Sequence, residues 1–192
     1  MKHGSLRRLA PLVVVSFSVL CASCVPMSLQ YYVPSAEGAK VVSNSCSGNP
    51  PYEANFFGGI SPRFNLKVGL VQQSLTAINN PTLTVIIDPG VNAHVAIDPK
   101  LIRVEADGQS VVPQRIHYLV GKARPTPTMD AVGPIDIEGN YLIIHMPVGI
   151  SGSLDVVTHL PPVTVGGQII QFPDVSFKLE KHTQIVMIAG NC

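Results

Sequence analysis

Phe64-Asn65-Leu66-Lys67-Val68-Gly69-Leu70 is the stretch that decides the fold class. Phe64, Leu66, Val68 and Leu70 fall on one side of an extended chain, and Asn65 and Lys67 on the other. A period of two over this length specifies a half-buried β-strand. The same pattern recurs in both directions. Asn79-Asn80-Pro81 turns the chain into Thr82 to Ile87, where Leu83, Val85 and Ile87 share a face, and Asp88-Pro89-Gly90 ends that run. Val91 to Ile97 alternates again before Asp98-Pro99. Leu101 to Ala106 leads into Asp107-Gly108, a dipeptide suited to a tight hairpin.

Beyond the return strand through Val111 and Val112, Ile116 to Val120 continues the apolar pattern. Gly121 to Pro134 reads as a long loop. Ile135 to Glu138 and Tyr141 to Met146 then read as a hairpin or a bulged strand. Leu154 to Leu160 follows, and Gly166-Gly167 joins Val163-Thr164-Val165 to Gln168-Ile169-Ile170 as a clear hairpin. Val175 to Leu179 alternates, and Thr183 to Ile188 closes the series. Nearer the start, Lys40 to Ser43 is a short strand. Asn44 to Pro62 is turn-rich, with Phe56-Phe57 as an apolar spot against the core. No sustained helical period occurs. Frequent short strands with turn punctuation predict an all-β, antiparallel β-sandwich, with an immunoglobulin-like arrangement preferred on strand spacing.

Composition agrees with this reading. Charged residues make up only 13 % of the 192-residue chain, Trp is absent, and 17 Pro and 16 Gly are spread along it. Abundant β-branched residues with scattered turn formers suit an all-β domain. No basic run interleaves with aromatics, so the electrostatic footprint of nucleic-acid binding is missing.

The beginning of the chain speaks to its address. Met1-Lys2-His3-Gly4-Ser5-Leu6-Arg7-Arg8 is a basic leader, followed by an apolar stretch from Leu9 to about Leu20 and then Cys21-Ala22-Ser23-Cys24. The apolar run is shorter than the roughly 20 residues a spanning helix needs, and the order suits a cleaved export signal. Leu20-Cys21-Ala22-Ser23-Cys24 resembles the lipobox of the bacterial lipoprotein class, with Cys21 in a slot usually filled by an apolar residue. The resemblance covers only this leader. It implies cleavage before Cys24, acylation of Cys24, and attachment to a membrane. Val25, where an aspartate would signal inner-membrane retention, implies the outer membrane facing the periplasm in a Gram-negative cell.

This divides the chain into a signal peptide (1–23), a lipid-anchored tether (24–38) and a β-sandwich domain (39–192). Loss of Lys2, Arg7 and Arg8 with the leader leaves 10 basic against 12 acidic residues, a net charge of about −2. Cysteines occur at 21, 24, 46 and 192. With Cys21 removed and Cys24 acylated, Cys46 and Cys192 remain as the expected disulfide of an oxidising compartment.

Motifs for chemistry are sparse. The histidines are isolated, with none of the spacings that hold zinc. Gly149-Ile150-Ser151-Gly152-Ser153 misses the nucleophile-elbow pattern by one residue and reads as a turn. Asp136 with Glu138, and Glu105 with Asp107, read as solvated strand faces and turn ends. No metal and no cofactor are expected. By elimination the binding candidate is the 121–134 loop, with Lys122, Arg124, Met129 and Asp130, since long loops on a rigid β scaffold often carry recognition. The expected role is a non-enzymatic cell-envelope binding or accessory module that contacts an envelope protein or polymer. The competing readings are a hydrolase assembled from Ser151, Asp155 and His159, and a structural spacer.

Overall fold

Period-two patterning becomes antiparallel strand pairing in the computed structural model of the chain. It describes residues 24–43, 52–57, 64–71, 81–90, 93–113, 115–121, 128–138, 141–150 and 152–187. In chain order the strands are β1 (Cys24–Ser35), β2 (Lys40–Ser43), β3 (Tyr52–Phe57), β4 (Asn65–Val71), β5 (Thr82–Asp88), β6 (His94–Ile97), β7 (Arg103–Ala106) and β8 (Gln109–Val111). There follow β9 (His117–Val120), β10 (Met129–Asp130), β11 (Ile135–Glu138), β12 (Leu142–Pro147), β13 (Asp155–His159), β14 (Val163–Val165), β15 (Gln168–Ile170) and β16 (Val175–Met187). One 3-10 turn, Pro99–Leu101, precedes β7.

The strands form three sheets, in the orders β1-β16-β13-β7-β8, β10-β9-β12-β5-β4-β3-β2 and β11-β6-β14-β15. A single apolar core draws on all three. Tyr32, Val104, Val156 and Phe177 come from the first, Leu66, Val85 and Ile144 from the second, and Val95 and Val163 from the third. The chain is therefore an all-β protein of packed antiparallel sheets, as its patterning predicts. Phe64, Leu66, Val68 and Leu70 all lie in the core, as do Leu83, Val85 and Ile87. Each such side chain contributes about 1.5–3 kcal/mol relative to an exposed position.

Both short hairpins form at the expected dipeptides. Asp107 and Gly108 have φ of 49° and 77°, and Gly166 and Gly167 of 56° and 81°. Two positive φ values in succession are what a tight two-residue turn requires to match strand twist.

Four local expectations are corrected. Within the 24–38 segment expected as a tether, Cys24–Ser35 is a strand paired along its whole length with β16. Its prolines, 26 and 34, concealed it. They are accommodated because β1 is an edge strand, where one side of the backbone has no ladder to lose. Tyr31 and Tyr32 are both buried, which explains two adjacent tyrosines where a spacer would carry none. Second, Phe56 and Phe57 belong to a full strand, β3. Phe56 is 7 % exposed and meets Phe172 edge-on at 5.4 Å, whereas Phe57 is 60 % exposed. Third, β11 and β12 are not a hairpin: β11 pairs with β6, whereas β12 pairs with β5 and β9. Fourth, Leu101 closes the 3-10 turn, which Asp98 caps by accepting from the Lys100 N–H.

Candidate functional site

The strand pairing of β7 and β13 sets Arg103 directly opposite His159. Glu105, two residues along β7, lies diagonally across from the same imidazole. His159 Nδ1 is 2.8 Å from Asp174 Oδ1, and Nε2 is 3.4 Å from Glu105 Oε1. The two carboxylates address opposite ring nitrogens. Asp174 orients the ring through Nδ1, whereas buried Nε2 makes no hydrogen bond among the described residues. The two carboxylates do not converge on a common point, as a metal site would demand. Among the described residues no group of three or more His, Cys, Asp or Glu side chains could hold a metal ion.

Beside His159 opens a pocket of about 440 Å³, lined by Lys100, Leu101, Arg103, His159, Leu160, Pro161, Pro162 and Gln171. That volume lies within the range of small-ligand sites, roughly 300–1,000 Å³. Its walls have distinct chemistry. Lys100 and Arg103 bring positive charge, and no carboxylate is among the described lining residues. Leu101 (58 % exposed), Pro161 and Pro162 supply an apolar wall. Local structure fixes these groups: the Asp98 cap places Lys100, whose ammonium donates to the Val132 carbonyl. Gln171 Nε2 donates to the Leu160 carbonyl at 3.3 Å.

A second polar arrangement crosses the seven-stranded sheet. Asp130 on β10 faces His117 on β9, His117 faces His145 on β12, and His145 faces Thr84 on β5. Asp130 Oδ1 is 2.8 Å from His117 Nδ1, and Asp130 Oδ2 is 3.4 Å from the Arg115 guanidinium. The Thr84 hydroxyl and His145 Nδ1 are 3.2 Å apart. Burial, and then the neighbouring His117, push the His145 pKa below its ordinary value.

The residues singled out in the sequence land as follows. Asp130 anchors the end of its loop through His117 and Arg115, and Met129 beside it is 36 % exposed. Lys122, Arg124, Cys46, Cys192 and Ser151 lie outside the described residues. Cys24 is the first residue of β1, opposite Met187. Asp155 and His159 stand at opposite ends of β13, about 13 Å apart at strand spacing. The structure therefore does not bring that pair together, and His159 pairs instead with Asp174 and Glu105. Sequence reasoning did not find the pocket. Its residues come from the 3-10 turn, β7, β13 and the chain around β14 and β15, with no motif linking them.

No family model matches the chain, and neither a curated protein nor a solved structure matches it.

Proposed function

We propose that this chain is a lipid-anchored protein of the cell envelope, held by acylated Cys24, and that its sandwich is a non-enzymatic binding module. The address rests on the basic leader, the short apolar run and Cys24. The same export reading makes Cys46 and Cys192 a disulfide. An immunoglobulin-like connectivity belongs to this proposal as an analogy drawn from strand spacing.

The observation that carries the binding role is the pocket beside His159. Two cations, an imidazole and an amide stand against a wall of leucine and proline. Apolar lining with a few placed polar groups is the usual make-up of a ligand site. Lys100 and Arg103 put positive charge in the lining itself, whereas Asp174 and Glu105 stand behind it against His159, so an anionic group is favoured at the Lys100–Arg103 side. An envelope polymer bearing carboxylate or phosphate groups fits this best, with an acidic segment of an envelope protein as the alternative partner.

Titration calorimetry with a short polyuronate and with polyphosphate tests this and separates carboxylate from phosphate recognition. Lys100→Glu with Arg103→Glu should weaken binding of the preferred polyanion at least tenfold, and added salt should weaken it further. Equal binding by the wild type and the double variant would reject the pocket as the site.

A further inference from the structure

We infer that the Cys24–Met187 end of the β1–β16 ribbon is a second membrane contact, which dips into the interfacial layer of the bilayer beside Cys24. This rests on the export reading for its location, although the ribbon's own contribution can be measured without the lipid.

The inference begins with a change in pattern along β16. From Val175 to Leu179 the strand alternates: Val175 and Phe177 are buried, Ser176 and Lys178 exposed, and Leu179 packs against the core. That is the pattern of a strand with one face on a core. The alternation then stops. Glu180-Lys181-His182-Thr183-Gln184 is polar throughout, and Ile185-Val186-Met187 is apolar throughout. The pairing changes at the same place. β13 pairs with β16 only from Val175 to Lys178, and the Leu179 N–H reaches the Leu154 carbonyl. From Glu180 onward the only strand paired with β16, among the described residues, is β1.

The partner strand shows the same composition at the same level. Cys24 pairs with Met187, Val25 with Val186, and Pro26 with Ile185. Every residue in these three pairs is apolar or is the cysteine itself. Behind them come Met27 with Gln184, Ser28 with Thr183, Leu29 with His182 and Gln30 with Lys181, where β16 contributes only polar residues and β1 alternates. Pairs apolar on both strands are thus confined, in this stretch, to the end that begins at Cys24. A strand with one buried face alternates in sequence, and three consecutive pairs of apolar residues break that alternation. Burial of one face against the sandwich would not call for this.

Depth follows from backbone chemistry. A two-stranded ribbon has two open edges, and unpaired N–H and C=O groups are not tolerated in hydrocarbon. It therefore cannot span a bilayer. Three residue pairs at about 3.3 Å each give about 10 Å, which matches the roughly 5–10 Å that interfacial elements penetrate. Lys181 and Glu180, both exposed, lie beyond His182, Thr183 and Gln184 from the apolar end, and such charged side chains belong at or above the headgroup level. The occupant is a lipid surface because the lipid-bearing residue is itself the first of the three pairs.

The test uses the mature-length chain, residues 24–192, with Cys24→Ala, in flotation with vesicles of phosphatidylcholine alone and with added phosphatidylglycerol. The acyl-free protein should float with both kinds of vesicle. Ile185→Ser with Val186→Ser and Met187→Ser should lower the bound fraction at least tenfold, and Val25→Ser with Pro26→Ser should lower it on the opposite strand. Circular dichroism checks that each variant remains folded. An acyl-free chain that stays in solution, or folded serine variants that float like their parent, would overturn the inference. Acyl labelling of the wild type in cells separates the two readings. A labelled wild type with a non-floating Cys24→Ala chain rejects the ribbon and leaves the lipid anchor standing. An unlabelled wild type with a floating Cys24→Ala chain does the reverse.

Discussion

The Tyr32 hydroxyl donates to the Ser153 carbonyl at 2.9 Å, fastening the strand that begins at Cys24 to the turn before β13. The Ile150 carbonyl lies 3.4 Å from the same oxygen, and the Tyr32 side chain is among the largest that are fully buried. Tyr31 and Tyr32, seven and eight residues after the proposed lipidation position, are thus buried in the domain. A Cys24 anchor would hold the sandwich close to the bilayer, with no spacer of the length expected from sequence.

Tyr32→Phe should destabilise the fold by about 1 kcal/mol, because it removes one buried hydrogen bond and leaves the ring in place. Tyr32→Ala should cost about 3–5 kcal/mol through the cavity left by the ring. Urea denaturation of both variants measures the difference. If Tyr32→Ala matches the wild type, the strand is not part of the core.

The same hydroxyl gives a signature at alkaline pH. Burial, and then the charge on Asp107, push the Tyr32 pKa up to about 12 from an ordinary 10.0. The unfolded chain ionises first, so this contribution is complete below pH 10 and declines between pH 10 and about 12. Tyr31 is raised as well, by burial and then by its hydrogen bond to Tyr52. Tyr32→Phe should therefore reduce, and not abolish, the loss of stability between about pH 9 and about pH 11. Denaturation midpoints at the two pH values check this, and an unchanged loss would contradict it.

Asp107 serves two neighbours at once. Its carboxylate accepts from the Leu154 and Asp155 N–H groups, both at 3.1 Å, and its own backbone takes a positive φ of 49°. Asp107→Asn keeps an accepting oxygen and a side chain that tolerates this conformation. Asp107→Ala keeps neither. Thermal melting should rank the alanine variant about 1 kcal/mol or more below the asparagine variant. Equal melting would mean that the turn depends neither on an accepting side-chain oxygen nor on a residue that tolerates positive φ.

His145 makes the protein sensitive to acid. Its pKa is lowered by burial and then by His117, so the folded protein resists the proton that the unfolded chain accepts. Stability from this source is complete above the ordinary value of 6.5 and falls as pH drops below it. His145→Gln should shrink the difference between denaturation midpoints at about pH 7.5 and about pH 5.5. A difference as large as in the wild type would place the acid sensitivity elsewhere, with His117, Asp130 and Arg115 as the adjacent charges.

The sequence disclosed those parts of the fold that depend on neighbours in the chain. Phe64 to Leu70 and Thr82 to Ile87 alternate because one sheet face is buried, and Asp107-Gly108 and Gly166-Gly167 are required by turn geometry. The β1 strand was hidden because prolines at 26 and 34 are strand breakers except at an edge, and edge position is a property of the whole sheet. The separation of β11 from β12 was hidden for the same reason, since Ile135 to Glu138 finds its partner in β6. The pocket depends on contacts between distant segments. Nothing near His159 in sequence announces Glu105 or Asp174, and Lys100 and Arg103 join Pro161 and Pro162 only through the fold. Asp130 was visible as a polar loop residue, but its partner His117 was not.

The central claim is that Cys24 is both the anchored residue and the start of the folded domain. The most direct measurement is the intact mass, with N-terminal fragmentation, of the protein extracted by detergent from cell envelopes. The account predicts a chain that begins at Cys24, carries acyl mass on that residue, and lacks the two thiol hydrogens of Cys46 and Cys192. A chain that begins at another residue, or that begins at Cys24 without acyl mass, would contradict it.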